Sequence, residues 1–249
     1  MDIQTYFKDK KVAVAFSGGV DSSVLLFLAQ KYAADCKAYF VKSQFQPQFE
    51  LDDALQISGQ LGVELKIINL DVLNDKSIVS NPENRCYYCK KKIFGAICAA
   101  AQSDFADIIC DGTNASDDVS DRPGFKALKE FGVKSPLRDC NITKAEIREI
   151  ARKNGLAVYD KPSYACLATR IPCTTPIEES VLLNTENAEN EMRAFGFKNF
   201  RVRYLDGAAK LELSAKDFDL IFNIRNEVES ALSKYYDSVY LDLKVRRDE

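Results

Sequence analysis

A chain of 249 residues, 46% hydrophobic and 29% charged, is long enough to bury a substantial core and to form one large domain or two small ones. Its formal net charge of −3 supplies no overall basic field for a polyanion, which disfavours nucleic acid as a partner. Histidine is absent, so the chemistry must use Cys, Asp, Glu, Lys, Arg, Tyr or a cofactor. Residues 1–8 carry charge where a secretory leader needs an apolar run, and no stretch approaches the ~20 apolar residues that span a bilayer, so a cytoplasmic location without a membrane partner is expected.

Residues 12–16 read as a buried strand, followed by the turn Ser17-Gly18-Gly19-Val20-Asp21-Ser22-Ser23 and an apolar helical stretch at residues 24–29. Two adjacent glycines let the backbone bend close to an anion, and the free amides and positive dipole end of the following helix supply a binding field. No lysine follows the glycines as in G-x-x-x-x-G-K-[ST], so the cradle suits pyrophosphate better than a terminal phosphate. Taken alone, the glycine pair also fits a tight turn with a serine cap.

Further along, residues 37–41 and 63–68 read as strands, 51–61 and 87–101 as helices, and 107–111 as a short buried strand. Thr143-x-x-Glu146 is a capping box that opens a helix to about Asn154, and Gly155 closes it. Strands alternating with helices predict an α/β fold: a parallel sheet covered on both faces, with the ligand at the carboxyl ends of the strands, where the glycine turn lies. After a connection at residues 161–163 the pattern changes to a helix at 176–195, a hairpin at 200–204 and 209–213 around Asp206-Gly207, a long helix capped by Ser214-x-x-Asp217, and a last strand at 238–243. The expected division is a nucleotide domain at residues 1–160 and a small α+β domain at 161–249.

Eight cysteines without a secretion signal point to reduced thiols. Cys86 and Cys89, three apart at a helix start, share one face, with Arg85, Lys90, Lys91 and Lys92 providing the cationic setting in which metal-binding thiolates are found. Two packed thiols remain the alternative, and Tyr87 and Tyr88 between them suit either ligand stacking or core packing. A second group is Cys166 in K-P-S-Y-A-C-L-A-T-R-I-P at residues 161–172, followed by Cys173. Cys36, Cys98, Cys110 and Cys140 read as core residues.

The string S-G-G-V-D-S between strand and helix resembles the signature of the PP-loop ATP pyrophosphatases, which cleave ATP between its α and β phosphates and transfer AMP to a substrate oxygen. It is followed in order by N-P-E-N-R-C-Y-Y-C-K-K at residues 81–91, Asp111-Gly112-Thr113-Asn114, D-R-P-G-F-K-A-L at residues 121–128, the Cys166 stretch, and F-R-V-R-Y at residues 200–204. No single motif names a family. The succession, covering nearly the whole chain, resembles the LarE family of ATP-dependent sulfur transferases that serve the nickel-pincer cofactor.

That resemblance implies ATP with Mg²⁺ near Asp21, and nucleotide contacts from Ser17, Gly18, Gly19, Asp21, Ser22, Ser23, Asp111 and Gly112. It implies a pyridinium dicarboxylate mononucleotide as substrate, held by Arg170, Arg201 and Arg203, with Cys166, Asp21 and Arg170 as catalytic residues. Adenylation would convert a carboxylate, whose oxygen leaves poorly, into a mixed anhydride open to a sulfur nucleophile. In one route Cys166 surrenders its own sulfur and becomes dehydroalanine. In the other, Cys86, Cys89 and Cys166 hold a [4Fe-4S] cluster whose unligated iron carries sulfide from a sulfur donor. Three thiols, two with chelating spacing, favour the cluster. Zinc is the competitor and wants a fourth ligand, which Cys173 could supply. The family more often reads R-I-P-Y-G where this chain reads R-I-P-C-T-T. It also usually continues past the last strand with an arginine-bearing segment, for which Arg246 or Arg247 either substitutes or is solvated charge. A homo-oligomer is consistent with the resemblance. Other readings are a tRNA thiolase, against which the acidic charge counts, a sulfide-carrying module, and an ammonia-using ligase of the NAD- or GMP-synthetase kind.

Overall fold

The computed structural model describes residues 2–118 and 123–246. The chain divides into two units, Met1–Val72 with Asn84–Lys161, and Leu73–Glu83 with Pro162–Glu249. In chain order the elements begin α1 (Ile3–Phe7), β1 (Lys11–Ala15), α2 (Val20–Tyr32), β2 (Asp35–Lys42), α3 (Gln48–Leu61) and β3 (Leu65–Asn69). After α4 (Lys76–Val79), which belongs to the second unit, come α5 (Arg85–Ser103), β4 (Ile108–Cys110), α6 (Pro123–Glu130), α7 (Pro136–Asp139) and α8 (Lys144–Lys153).

The strands of the first unit pair in parallel in the order β3-β2-β1-β4. Their side chains alternate between faces. Val12, Val14, Ala38 and Phe40 pack with Val24, Leu25, Leu28 and Ile147 on one side, and Ala13, Tyr39 and Val41 pack with Phe94, Ile97 and Leu128 on the other. Helices cover both faces, so β1 reads as an unbroken apolar run. Each large aliphatic or aromatic side chain fully buried this way contributes about 1.5–3 kcal/mol.

In the second unit, a 3-10 turn at Leu167–Arg170 and α9 (Glu179–Ala194) precede β5 (Phe200–Leu205) and β6 (Ala208–Leu213). These strands form an antiparallel hairpin, with Asp206 at φ 46° and Gly207 at φ 83°, the two positive values that a tight hairpin turn requires. Then α10 (Ala215–Asn223), α11 (Arg225–Leu232) and β7 (Val239–Leu241) follow, with β7 parallel to β6. Met192, Phe197, Phe200, Val202, Leu211, Ile221 and Leu232 form the core.

The Thr143–Glu146 capping box is present, and Gly155 has φ 67°. Two helices differ from expectation. That expected from residue 176 begins at Glu179, because the Ile177 amide donates to Val79 O at 2.8 Å and Glu178 is extended (φ −107°, ψ 143°). The long helix after Ser214 is two helices, interrupted at Ile224 (φ −125°, ψ 27°), and the Ser214 hydroxyl donates to the Asp217 carboxylate at 2.8 Å instead of accepting from an amide. Among the described residues, no helix is long and apolar enough to cross a membrane.

Candidate functional site

At the carboxyl end of β1 the chain passes through Ser17, Gly18 and Gly19 into α2. Gly18 has φ 69°, and a Cβ there would lie 3.1 Å from both Glu50 O and Ala54 N of α3. Only glycine combines this backbone with this approach. Gly19 caps α2 without a side-chain bond to the helix amides, so the first-turn N–H groups face outward as an anion cradle. Ser22 and Ser23 brace the turn from inside, their hydroxyls donating to Gly19 O at 3.1 and 2.8 Å. Exposed Ser17 bonds Ser22 through the two hydroxyl oxygens at 3.1 Å.

The loop after β4 closes one side of this cradle. Gly112 lies directly on the start of α2, where a Cβ would meet Ser22 N at 2.9 Å. Beside it, Asp111 accepts from the Thr113 and Ser135 hydroxyls at 2.5 and 2.7 Å. Burial pushes the Asp111 carboxyl up, against the opposing pull of those hydroxyls and of Lys90. Asn114 donates to Asp21 Oδ1 at 3.2 Å, while Lys144, the first residue of α8, places Nζ 2.5 Å from Asp21 Oδ2. Lys161 reaches back to Gly18 O at 3.1 Å and to Asp53 at 2.6 Å. The glycines lack a neighbouring lysine in sequence, yet two lysines more than 120 residues away flank them. The capping box marked the start of α8, but nothing in the local pattern signalled that this start abuts the turn. A magnesium ion needs only one or two carboxylates beside phosphate oxygens. Both oxygens of each carboxylate have a partner here, but Asp21 is half-buried and so open to a metal ion, whereas Asp111 is buried.

Cys86 and Cys89 lie in the first two turns of α5, the former exposed and the latter half-buried. Lys90, one turn after Cys86 and on its face, lies along α6, where a Cβ on Gly124 would meet Lys90 Cδ at 2.7 Å, and its charge reaches Asp111. The thiol pair therefore stands on the part of α5 that Lys90 links to the loop after β4. Tyr87 serves helix packing: its hydroxyl donates to Glu130 at 3.0 Å, and Lys126 lies 5.3 Å over its ring. Asp121 and Arg122 of the D-R-P-G-F-K-A-L stretch lie outside the described residues. Burial pushes the Cys36 thiol up to about 12 and also raises Cys98, Cys110 and Cys140.

In the second unit, Cys166 precedes the 3-10 turn, half-buried, and its carbonyl accepts from the Thr169 amide and hydroxyl at 2.9 and 2.8 Å. It lies within the electrostatic reach of Arg170. Arg170 is buried, with Nε 2.7 Å from Glu189 Oε1, Nη2 3.3 Å from Oε2, and Nη1 on Ala165 O and Thr169 Oγ1. Its fork is thus committed inside the unit. Arg203 pairs with Glu212 at 2.6 Å and donates to Thr169 O. Arg201 makes no ion pair among the described residues: it donates to Phe200 O and Ser163 O, both at 2.7 Å, and burial, with Arg170 and Arg246 nearby, pulls it down to about 10. Arg246 has a buried Nε without a hydrogen-bond partner, and Arg247 lies outside the described residues. Exposed Cys173 donates to Asn81 O at 3.5 Å. Among the described residues, no group of three or more Cys, Asp or Glu side chains is gathered as a metal cage.

The asparagine synthase family matches residues 2–77, which include β1, the glycine turn and α2. An uncharacterized protein of Methanocaldococcus jannaschii is 31% identical over 99% of this chain and 94% of its own length. The tRNA-specific 2-thiouridylase MnmA of Pseudothermotoga lettingae is 29% identical over 61% of this chain and 54% of its own. Pyridinium-3,5-bisthiocarboxylic acid mononucleotide synthase of Lactiplantibacillus plantarum is 30% identical over 94% of this chain and 86% of its own length. A glycine cradle that opens a helix at the carboxyl end of a parallel sheet, together with relatedness of this extent, makes the chain a member of the LarE family of AMP-forming, ATP-dependent sulfur transferases.

Proposed function

We propose that the protein adenylates a carboxylate of pyridinium-3,5-dicarboxylate mononucleotide and replaces an oxygen with sulfur. The observation that carries this reading is the cradle itself, in which Gly18 packs on α3, Gly112 packs on the start of α2, and the amide end of α2 stands beside Asp21. The carboxylate oxygen attacks the α-phosphorus, the bond to the α–β bridging oxygen breaks, and pyrophosphate leaves with that electron pair. A sulfur nucleophile then attacks the acyl carbon, and AMP leaves with the carboxylate oxygen, giving the thiocarboxylate.

The first unit supplies the nucleotide site, with Asp21 taking magnesium, and the second supplies Cys166 and the arginines. Arg201 and Arg203 hold the substrate's phosphate and carboxylates. Arg170 acts from inside the unit, because its donors are occupied by Glu189, Ala165 O and Thr169 Oγ1 and it shares the Tyr164 ring with Arg201. Cys86, Cys89 and Cys166 would be the ligands of a [4Fe-4S] cluster, and the donor chemistry supports this: thiolates suit iron–sulfur clusters, and the chain contains no histidine for a competing mixed site. When bound, the cluster would supply an iron able to carry sulfide.

The test is anaerobic purification with iron and sulfide analysis, followed by incubation with ATP, Mg²⁺, sulfide and the pyridinium mononucleotide. The expected products are AMP, pyrophosphate and a thiocarboxylate that accumulates beyond one equivalent of protein. An iron-free protein that stops after one turnover with Cys166 converted to dehydroalanine would overturn the cluster. AMP formation that depends on tRNA, with salt-sensitive tRNA binding, would overturn the substrate.

A further inference from the structure

Half-buried Tyr164 gathers three cations around one ring. The guanidinium carbons of Arg170, Arg201 and Arg193 lie 4.6, 5.2 and 5.5 Å from its ring centroid, and its hydroxyl donates to Glu189 Oε2 at 2.7 Å. The carbonyls on either side of it are held by two of the same groups: Arg201 Nη2 donates to Ser163 O at 2.7 Å and Arg170 Nη1 to Ala165 O at 3.0 Å. Ring and backbone are thus gripped together, and the next residue along the chain is Cys166.

The three guanidinium groups have one carboxylate among them, and Glu189 is engaged by Arg170 and Arg193. Arg201 makes no ion pair among the described residues, and burial, followed by the Arg170 charge, pulls it down to about 10. The aromatic face is what supports it. A carboxylate in that place would pair with Arg201 and compete with an incoming anion. An aliphatic side chain would leave the cations facing one another without compensation. The ring attracts a guanidinium and leaves its charge unneutralised.

We propose that Tyr164 is a positioning residue for the acceptor's anionic groups: its ring fixes Arg201 relative to the loop that leads to Cys166 and keeps the guanidinium charge available to phosphate or carboxylate. Tyr164 acts through Arg201 and not by contact with the reacting atoms. The ring carries this role, whereas the hydroxyl serves Glu189 and the fold. This inference rests on the reading of Arg201 as a holder of the pyridinium substrate, but not on the cluster or the source of sulfur.

The experiment follows initial rates of pyrophosphate release with ATP, Mg²⁺ and the pyridinium mononucleotide for the unaltered protein, Tyr164→Phe and Tyr164→Leu, beside AMP binding by calorimetry and a thermal melt. A cation–π contact is worth a factor of about 2 to 30, the upper end when it is desolvated. Tyr164→Leu should raise KM for the mononucleotide about tenfold, with the maximal rate within about threefold and AMP affinity within about twofold. Tyr164→Phe should keep KM within about threefold while melting lower, because Glu189 loses one donor. An equal rise in KM for both variants would assign the effect to the hydroxyl, and a parallel loss of KM, maximal rate and AMP affinity would reduce Tyr164 to a structural part; either result overturns the role of the ring. Should Tyr164→Leu not fold, NMR of the isotope-labelled arginines in the unaltered protein and Tyr164→Phe decides the matter. The Arg201 Nε–H signal should be displaced by the ring in both and move on titration with the mononucleotide, and an undisplaced or unresponsive signal overturns the proposal. If the mononucleotide elicits no pyrophosphate from the unaltered protein, the substrate reading falls and this inference falls with it. If the unaltered protein responds and Tyr164→Leu matches it, only the role of Tyr164 is lost.

Discussion

Gly112 touches the backbone of Ser22 so closely that a single methyl group would come within 2.9 Å of the Ser22 nitrogen and 3.2 Å of its Cα. The neighbouring atoms are main chain at the start of a buried helix, and they cannot turn aside as a flexible side chain would. Gly112→Ala should therefore push the Asp111–Asn114 loop off the cradle, at a cost of about 1–3 kcal/mol. AMP affinity should fall at least about tenfold on the same scale, measured by calorimetry beside a thermal melt. An unchanged affinity would show that the loop is no wall of the site.

Lys161 clamps the other side of the turn, with Nζ on Gly18 O and Asp53 and 5.7 Å over the Phe49 ring. Arg148 holds the carbonyls of Tyr159 and Lys161 at 2.7 and 3.3 Å, so the backbone that carries the clamp is itself anchored. Lys161→Met keeps the stem and removes the donors. The expected result is an AMP affinity lower by about 3- to 10-fold, the scale of one net hydrogen bond, with little change in melting temperature.

The parts of the site that were legible in sequence are those encoded locally. An apolar strand, a glycine pair and a helix start sit within a dozen residues, and Thr143 with Glu146 announces α8 by a spacing of three. Lys144 and Lys161 reach the same turn only through the tertiary arrangement of α8 and the chain beyond it, which no local pattern encodes. Arg170 shows the converse limit. A lone arginine in a polar stretch suits a substrate anion equally well, and only folding brings Glu189, from the middle of a polar-looking helix, against it. Asn81 is similar: it adopts φ 54° and donates to Pro172 O and Thr175 O at 2.8 and 3.0 Å, a role invisible in N-P-E-N.

Thiol reactivity should follow exposure and thiolate content. Cys86 and Cys173 are exposed, whereas Cys110 is fully buried and its thiol pushed up, and Cys36 is raised to about 12. At pH 7.5 the Cys36 thiolate fraction is on the order of 10⁻⁴ or less. Iodoacetamide applied to the reduced, metal-free chain should therefore modify Cys86 and Cys173 well before Cys36 and Cys110, as read by peptide mass spectrometry over time. Early labelling of Cys110 would contradict the burial of β4.

Glu189 is the charge on which the second unit's interior depends. It is fully buried and accepts from Arg170 Nε and the Tyr164 hydroxyl at 2.7 Å, from Val202 N at 3.2 Å and from Arg193 at 3.4 Å. Burial pushes its carboxyl up, but the Arg170 guanidinium and these hydrogen bonds outweigh burial and hold it below its ordinary value of 4.5. A carboxyl depressed by folding binds its proton more tightly when unfolded, so its contribution is complete above the unfolded value and is lost as pH falls through the folded one. Glu189→Gln leaves Arg170 buried without a counter-charge and should cost about 3–5 kcal/mol in urea unfolding at pH 7. The gap between the two proteins should stay constant from pH 7 down to about pH 5 and narrow below about pH 4.5. Removing both charges in Arg170→Met with Glu189→Leu should cost less than Glu189→Gln alone, because no uncompensated ion remains. A gap independent of pH down to pH 3 would mean that Glu189 acts by shape and hydrogen bonding, without its charge.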